Sequence, residues 1–268
     1  MADDDIPGNA GRGTIMDRPI LFSAPMVRAN LDERKTQTRR VLDAWCDEPP
    51  AFVENGIVSA YDENDHPYRW PKTNAIGDRL WVREAWWIAT RYSYGTTPGG
   101  DEVPPAPLAY RHSDPIHYAA DGNPPNCANK HYGPNGLRPG SGAFAAPDPY
   151  AVWIKKPSIH MPRWASRLTL IVTDVRVQRL QYISEADAVA EGVEPLHGGW
   201  FPYGISTSMT TIQDGREVPA QHCTSARDSF RMLWEHINGK RSWDANPWII
   251  AYTYHAINRN IDQIEVQP

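Results

Sequence analysis

The run from Leu168 to Leu180 (LTLIVTDVRVQRL) is the longest strand-forming segment of the chain. Beyond Asp174 it alternates, Val175 and Val177 against Arg176 and Gln178, so one face enters a core and the other meets water. A helix follows directly. Ser184 is placed to cap it, with Asp187 standing where the usual signature has Glu or Gln, and Gly192 ends it. A half-buried strand passing straight into a capped helix points to a sheet with helices packed on it. The 268 residues are enough to bury a full core. No apolar run approaches the ~20 residues that span a bilayer, so no membrane association is expected.

Other segments fit that frame. Pro19 to Phe22 reads as a first strand. It leads into a short helix from Ala24 to Glu33, with Pro25 suited to the first turn and Met26, Val27, Asn30 and Leu31 at helical spacing. After the Gly77-Asp78 turn an apolar strand is expected to run on to Trp87, with Leu80 and Val82 alternating with Trp81 and Arg83. Ser225 to Gly239 is an amphipathic helix with Phe230, Leu233, Trp234 and Ile237 on one stripe. Trp248 to Tyr254 is the closing strand.

Between these lie three insertions, at about 43–71, 90–150 and 198–219. The first contains a hairpin around Asn55-Gly56 from Phe52 to Tyr61, followed by a turn at Asp62 to Asp65. The second is dense in Gly, Pro and Asn, and its one strand-like piece runs from Ile116 to Asp121. Trp153 to Arg167 reads as a Pro-punctuated loop in which Lys155, Lys156, Arg163 and Arg167 are interleaved with Trp153 and Trp164. Residues 1–15 read as an unstructured acidic leader, 16–258 as a single domain and 259–268 as a peripheral tail.

Three widely spaced cysteines, with no signal-peptide core at the start, fit a reducing, cytoplasmic setting. Cys127-x-x-x-His131, with His112 and His117 nearby, falls short of a tetrahedral ligand set, so neither a metal nor another cofactor is expected. The net charge of -5 argues against a sequence-independent grip on long nucleic acid, although it leaves room for a local basic pocket.

Such a pocket is suggested by Arg34-Lys35-Thr36-Gln37-Thr38-Arg39-Arg40, four cations and two hydroxyls at a helix-to-strand junction. A lysine with cationic neighbours has its charged form disfavoured and can serve as a general base. Thr38, three residues on, is a hydroxyl that it could activate. Glu191, at the end of the helix after the long strand, is a carboxylate that could orient the lysine or exchange protons with a leaving amine. The plainer reading of the same residues is a solvated cationic turn beside ordinary strand threonines.

Several motifs, in order, carry a resemblance. They are Leu21-Phe22-Ser23-Ala24-Pro25-Met26-Val27, then Arg34 to Arg40, then Gly77-Asp78-Arg79-Leu80-Trp81-Val82-Arg83-Glu84, then the Ile183 to Gly192 helix and Asn246-Pro247-Trp248. The chain resembles the ASCH domains of the PUA-like superfamily, in the version carried by phages and prophages. His160 to Arg167 is similar to a run in those phage proteins.

The resemblance implies an α+β fold, a PUA-like mixed β-barrel with flanking helices and long loop insertions. It also implies a nucleobase-directed function. A characterised ASCH enzyme, a bacterial N4-acetylcytidine amidohydrolase, uses a Lys, a Thr and a Glu, which fall on Lys35, Thr38 and Glu191. That implies metal-free amide hydrolysis on an N4-acylated cytidine-type nucleoside or nucleotide. Arg39, Arg40, Trp81, Arg83, Glu84, Arg163 and Trp164 are then expected to bind the substrate. Other family members bind or cleave RNA, so an RNA or modified-DNA binding module, possibly a ribonuclease, is the alternative. A phage accessory protein acting through protein contacts is a third.

Overall fold

The computed structural model describes residues 15–42, 52–54, 56–61, 67–69, 73–96, 102–107, 111–124, 132–133, 136–137, 151–204, 210–213, 216–219 and 221–265. In chain order the elements that matter for the site begin with strand β1 (Asp17–Leu21), helix α1 (Ala24–Leu31) and strand β2 (Gln37–Val41). Five strands follow: β3 (Arg79–Arg83), β4 (Trp86–Thr96), β5 (Glu102–Pro107), β6 (Ile116–Tyr118) and β7 (Ala151–Lys156). The last four elements are β8 (Thr169–Arg179), α2 (Glu185–Ala190), α3 (Ala226–Asn238) and β9 (Trp248–Ile257).

The main sheet has the order β1-β3-β8-β9-β2. β1 lies parallel to β3, and every other pairing is antiparallel, so the fold is mixed α+β. The closing strand of the sequence is therefore not an edge. β9 runs down the middle of the sheet, with β8 on one side and β2 on the other. Its apolar run Trp248-Ile249-Ile250-Ala251-Tyr252 suits a strand covered on both faces. Among the described residues no ladder joins the two edge strands. Instead the Arg40 guanidinium donates to the Leu21 carbonyl oxygen at 3.0 Å.

The helices cap as their sequences direct. Ser184 Oγ accepts from Asp187 N, and Ser225 Oγ accepts from Asp228 N, each at 3.0 Å. α3 buries Phe230, Leu233 and Trp234 against the sheet, roughly 1.5–3 kcal/mol for each side chain removed from water. Ile237, on the same stripe, stays 60% exposed.

α1 stops at Glu33, whose φ of 58° lies in the left-handed region where a non-glycine residue is uncommon. The turn allows the amides of both Arg34 and Lys35 to reach the Ala29 carbonyl, at 2.9 Å each. The next residue is held on two sides: Thr36 N donates to Ala190 O, and Thr36 O accepts from Tyr254 N.

Four sequence expectations need correction. β3 does not run on into Trp87. The chain breaks at Glu84-Ala85 and starts a second sheet, β7-β4-β5 with β6 also on β4. The 90–150 insertion thus carries ordered strands beyond the Ile116 piece, because β4 continues to Thr96 and pairs with β5 despite the prolines of β5. Trp153 to Lys156 is not loop but strand β7, laid on β4 so that Trp87, Ala89 and Trp153 share a small core.

Nor is the C-terminal segment peripheral. Ile261 is fully buried, and Asn260 Nδ2 donates to the carbonyl oxygens of Arg163 and Ser166. The Phe52–Glu54 and Ile57–Tyr61 hairpin is present, with Pro67–Arg69 added as a third strand. The leader (through Thr14), the Asp62–Asp65 turn, Cys127 and His131 lie outside the described residues.

Candidate functional site

Three elements meet at Lys35: the loop after α1, strand β2 and the C-terminus of α2. The meeting depends on small residues. The backbone at Gly192 (φ 83°) presses on the lysine stem, and a Cβ there would lie 2.7 Å from Lys35 Cβ and 2.9 Å from Ala29 Cβ. Lys35 is only 2% exposed. Its Nζ donates to Gln37 O at 2.8 Å, Glu191 O at 2.8 Å and Glu191 Oε2 at 2.7 Å. Glu191 is the C-cap of α2, so its carbonyl is one that the helix leaves without an intrahelical partner.

The second oxygen of Glu191 is held as well. Arg39 Nη1 donates to Glu191 Oε1 at 2.9 Å and to Gln37 Oε1 at 3.2 Å, and Arg39 Nη2 lies 3.3 Å from Asp187 Oδ2. Arg176 Nη2 donates to the other Asp187 oxygen at 3.0 Å. Charges therefore alternate in space along Lys35, Glu191, Arg39, Asp187 and Arg176. The Arg39 guanidinium is 0% exposed and packs 5.9 Å from the Phe230 ring centre. Breaking one member of such a buried chain leaves an uncompensated charge, which is the costly case.

These contacts set the proton affinities. Burial is the largest influence on Lys35 and lowers its pKa from 10.5. Glu191 opposes the shift, while Arg40 and Arg39 add to it. The cationic neighbours thus matter less than burial, and Arg34 turns away to Asp32. Burial and then the charge of Glu191 push the Tyr254 phenol well above 10.0. For Asp187, burial raises the pKa, but the Arg176 hydrogen bond and the Arg39 charge prevail and bring it down to about 2.

A folded pKa below the unfolded 3.8 contributes stability that is full above about pH 4 and is lost as pH falls towards about 2. Asp187→Asn is expected to flatten the acid limb of the stability curve by on the order of 1 kcal/mol after solvent screening. Denaturant titrations at stepped pH would show this. Parallel acid limbs in wild type and variant would contradict it.

The residues enclose a partly open pocket of about 90 Å³. Lys35, Thr38, Arg39 and Glu191 form a polar wall. Phe22 and Met26 at α1, with Phe230, Leu233 and Trp234 of α3, form an apolar one. Arg40, Val41, Ile237 and Asn238 also line it but are exposed, so they mark its mouth. Residues of both faces of β2 contribute because β2 is an edge strand. Thr38 is 1% exposed, and among the described residues no hydrogen bond engages its hydroxyl. Trp234 adds a buried indole N–H that likewise lacks an acceptor.

Of the ten candidate residues, the pocket gathers Lys35, Thr38, Glu191, Arg39 and Arg40. The other five do not line it. Arg83 stacks on Trp81, 5.4 Å from the ring centre. Glu84 is buried and clamped by Arg167 through both oxygens, at 2.9 and 3.2 Å. Arg167 also grips Asp121 with two hydrogen bonds of 2.8 Å and lies 3.9 Å over the Tyr118 ring. Arg163 is paired with Asp17 at 2.6 Å and Asp262 at 2.7 Å. Trp164 packs on His112, 4.6 Å between ring centres.

The apolar wall was hidden in the sequence as the stripe of an ordinary core helix; Ile237, exposed at its end, was the one irregular sign. Among the described residues no group of three or more His, Cys, Asp or Glu is placed to hold a metal, and no helix is long and apolar enough to cross a membrane. No family model matches the chain, and no curated protein or solved structure matches it.

Proposed function

We propose that this pocket hydrolyses a small amide carried on a nucleobase-like ring, with an N4-acylated cytidine as the substrate type, and that the chain is an ASCH protein of PUA-like fold. The observation that carries the reading is the convergence of Lys35, Thr38 and Glu191, from three elements, on one buried pocket. The apolar wall of Phe22, Phe230, Leu233 and Trp234 suits the face of a flat ring, and at about 90 Å³ the pocket takes no more than that ring, so the sugar stays outside its mouth.

In this reading Lys35 first gives up its contact with Gln37 O and loses a proton to solvent, a loss that burial favours, and the freed amine then takes the proton of the Thr38 hydroxyl as that oxygen attacks the acyl carbon. Collapse of the tetrahedral intermediate breaks the C–N bond, and the departing amine takes the proton back from Lys35. Water then attacks the Thr38 ester with Lys35 again as base, releasing the carboxylic acid and restoring Thr38. Glu191 orients Lys35. Both of its oxygens are already engaged by Lys35 and Arg39, which favours that role over proton exchange with the amine. Arg39, whose guanidinium is sealed from solvent, acts in this scheme as a positioning residue for Glu191 rather than as a contact to substrate.

Binding of a nucleic-acid strand along a basic groove has less support. Arg163 and Arg167, two cations that such a groove needs, are each neutralised by two carboxylates.

The test is release of cytidine and acetate from N4-acetylcytidine by the purified chain, followed by chromatography. Thr38→Val is expected to lower turnover by about 100-fold or more, and Thr38→Ser to retain part of it. A folded protein that leaves the substrate intact, or a Thr38→Val variant at full rate, would overturn the reading.

A further inference from the structure

We propose that the ligand of this pocket carries an anionic group, a phosphate on the sugar of the nucleoside, and that Arg40 receives it at the mouth. The inference rests on the reading above for the ring, but its own argument is electrostatic.

The lining residues hold three cations, Lys35, Arg39 and Arg40, against one carboxylate, Glu191. Lys35 and Arg39 are spent on that carboxylate and are buried in the floor. Arg40 is different. It lines the pocket with part of its side chain exposed at the mouth, and its guanidinium sits 5.5 Å from the ring centre of Phe22, another lining residue, close enough to the protein that burial lowers its pKa from 12.5 while the Glu191 charge opposes the shift. Two backbone carbonyls hold it, Leu21 O at 3.0 Å and Arg39 O at 3.5 Å. Among the described residues no carboxylate forms an ion pair with it, and only the charge of Glu191 reaches it at longer range, whereas Lys35 and Arg39 each meet Glu191 directly.

The backbone contacts fix the direction of a planar fork and leave its other N–H groups for an incoming oxyanion, the geometry that arginine offers to phosphate. Its neighbours at the mouth, Val41, Ile237 and Asn238, bring no negative charge. A ring seated against Phe230 and Trp234 would place its substituent outward, towards Arg40.

The experiment is calorimetric titration of the full chain with cytidine, cytidine 5′-monophosphate and a short oligocytidine, at low and moderate salt. Arg40→Gln and Arg40→Lys are run beside wild type, with folding checked by circular dichroism. Wild type is expected to bind the monophosphate about tenfold or more tightly than cytidine, with the advantage shrinking as salt rises. Arg40→Gln should bring that ratio to about two or less, and Arg40→Lys should keep part of it. Equal binding of nucleoside and nucleotide by wild type, or a preference that survives in Arg40→Gln, would overturn the proposal. So would an oligocytidine that binds far more tightly than the monophosphate, since the anion would then belong to a strand. Because binding is read without catalysis, absence of amide turnover would count against the hydrolase reading and leave this result standing.

Discussion

If the proposed amide hydrolysis is this chain's reaction, Lys35→Met is expected to reduce turnover of N4-acetylcytidine by at least about 1,000-fold, and in any case to lower stability by roughly 3 kcal/mol. The two losses have separate causes. In the proposed scheme turnover goes because the pocket that Thr38 lines no longer holds a base. Stability goes because Glu191, 4% exposed, keeps only Arg39 as a partner, and the α2 terminal carbonyl loses its donor. Pairing Lys35→Met with Glu191→Gln separates them: the second change removes the uncompensated charge and should recover part of the stability, but none of the turnover. Single and double variants that turn over within tenfold of wild type would sink the assignment of Lys35.

The wild-type rate should rise with pH through the folded pKa of Lys35, which burial holds below 10.5. The linkage follows. Because the unfolded chain binds the proton more tightly, Lys35 costs stability at pH below its folded pKa, and this cost fades as pH approaches 10.5.

Gly192→Ala is expected to cost roughly 3 kcal/mol and to impair whatever chemistry Lys35 performs. A φ of 83° is strained for any residue with a Cβ, a penalty of about 1 kcal/mol. The added methyl would also stand 2.7 Å from Lys35 Cβ and 2.9 Å from Ala29 Cβ, and buried overpacking of that kind costs about 1–3 kcal/mol more. Gly77 provides the control: its φ is 90°, and the nearest atom to its missing Cβ is Ile15 Cγ1 at 4.0 Å. Gly77→Ala should therefore show the conformational part alone, about 1 kcal/mol. Equal denaturant midpoints for the two alanine variants would mean that the packing of Gly192 on Lys35 has no weight.

What the sequence determined by itself is local. Alternation in Leu80 to Arg83 and around Val175, the serine caps at Ser184 and Ser225, and the stripe of α3 each follow from side-chain period and near-neighbour hydrogen bonds, so each is legible within a few residues. The pairing of Lys35 with Glu191 was within reach only through a resemblance, because nothing local links residues so far apart in the chain.

The tertiary structure decided the rest. It set β9 inside the sheet, extended β4 to Thr96 and paired it with the proline-containing β5, and packed Ile261 into the core, all choices made by strand pairing and burial at long range. It also divided the arginines. In sequence Arg39 and Arg40 are twins. In space one is sealed behind Glu191 and the other stands at the pocket mouth, because the cover over β2 ends partway along the strand: Thr38 and Arg39 are buried, Arg40 and Val41 exposed.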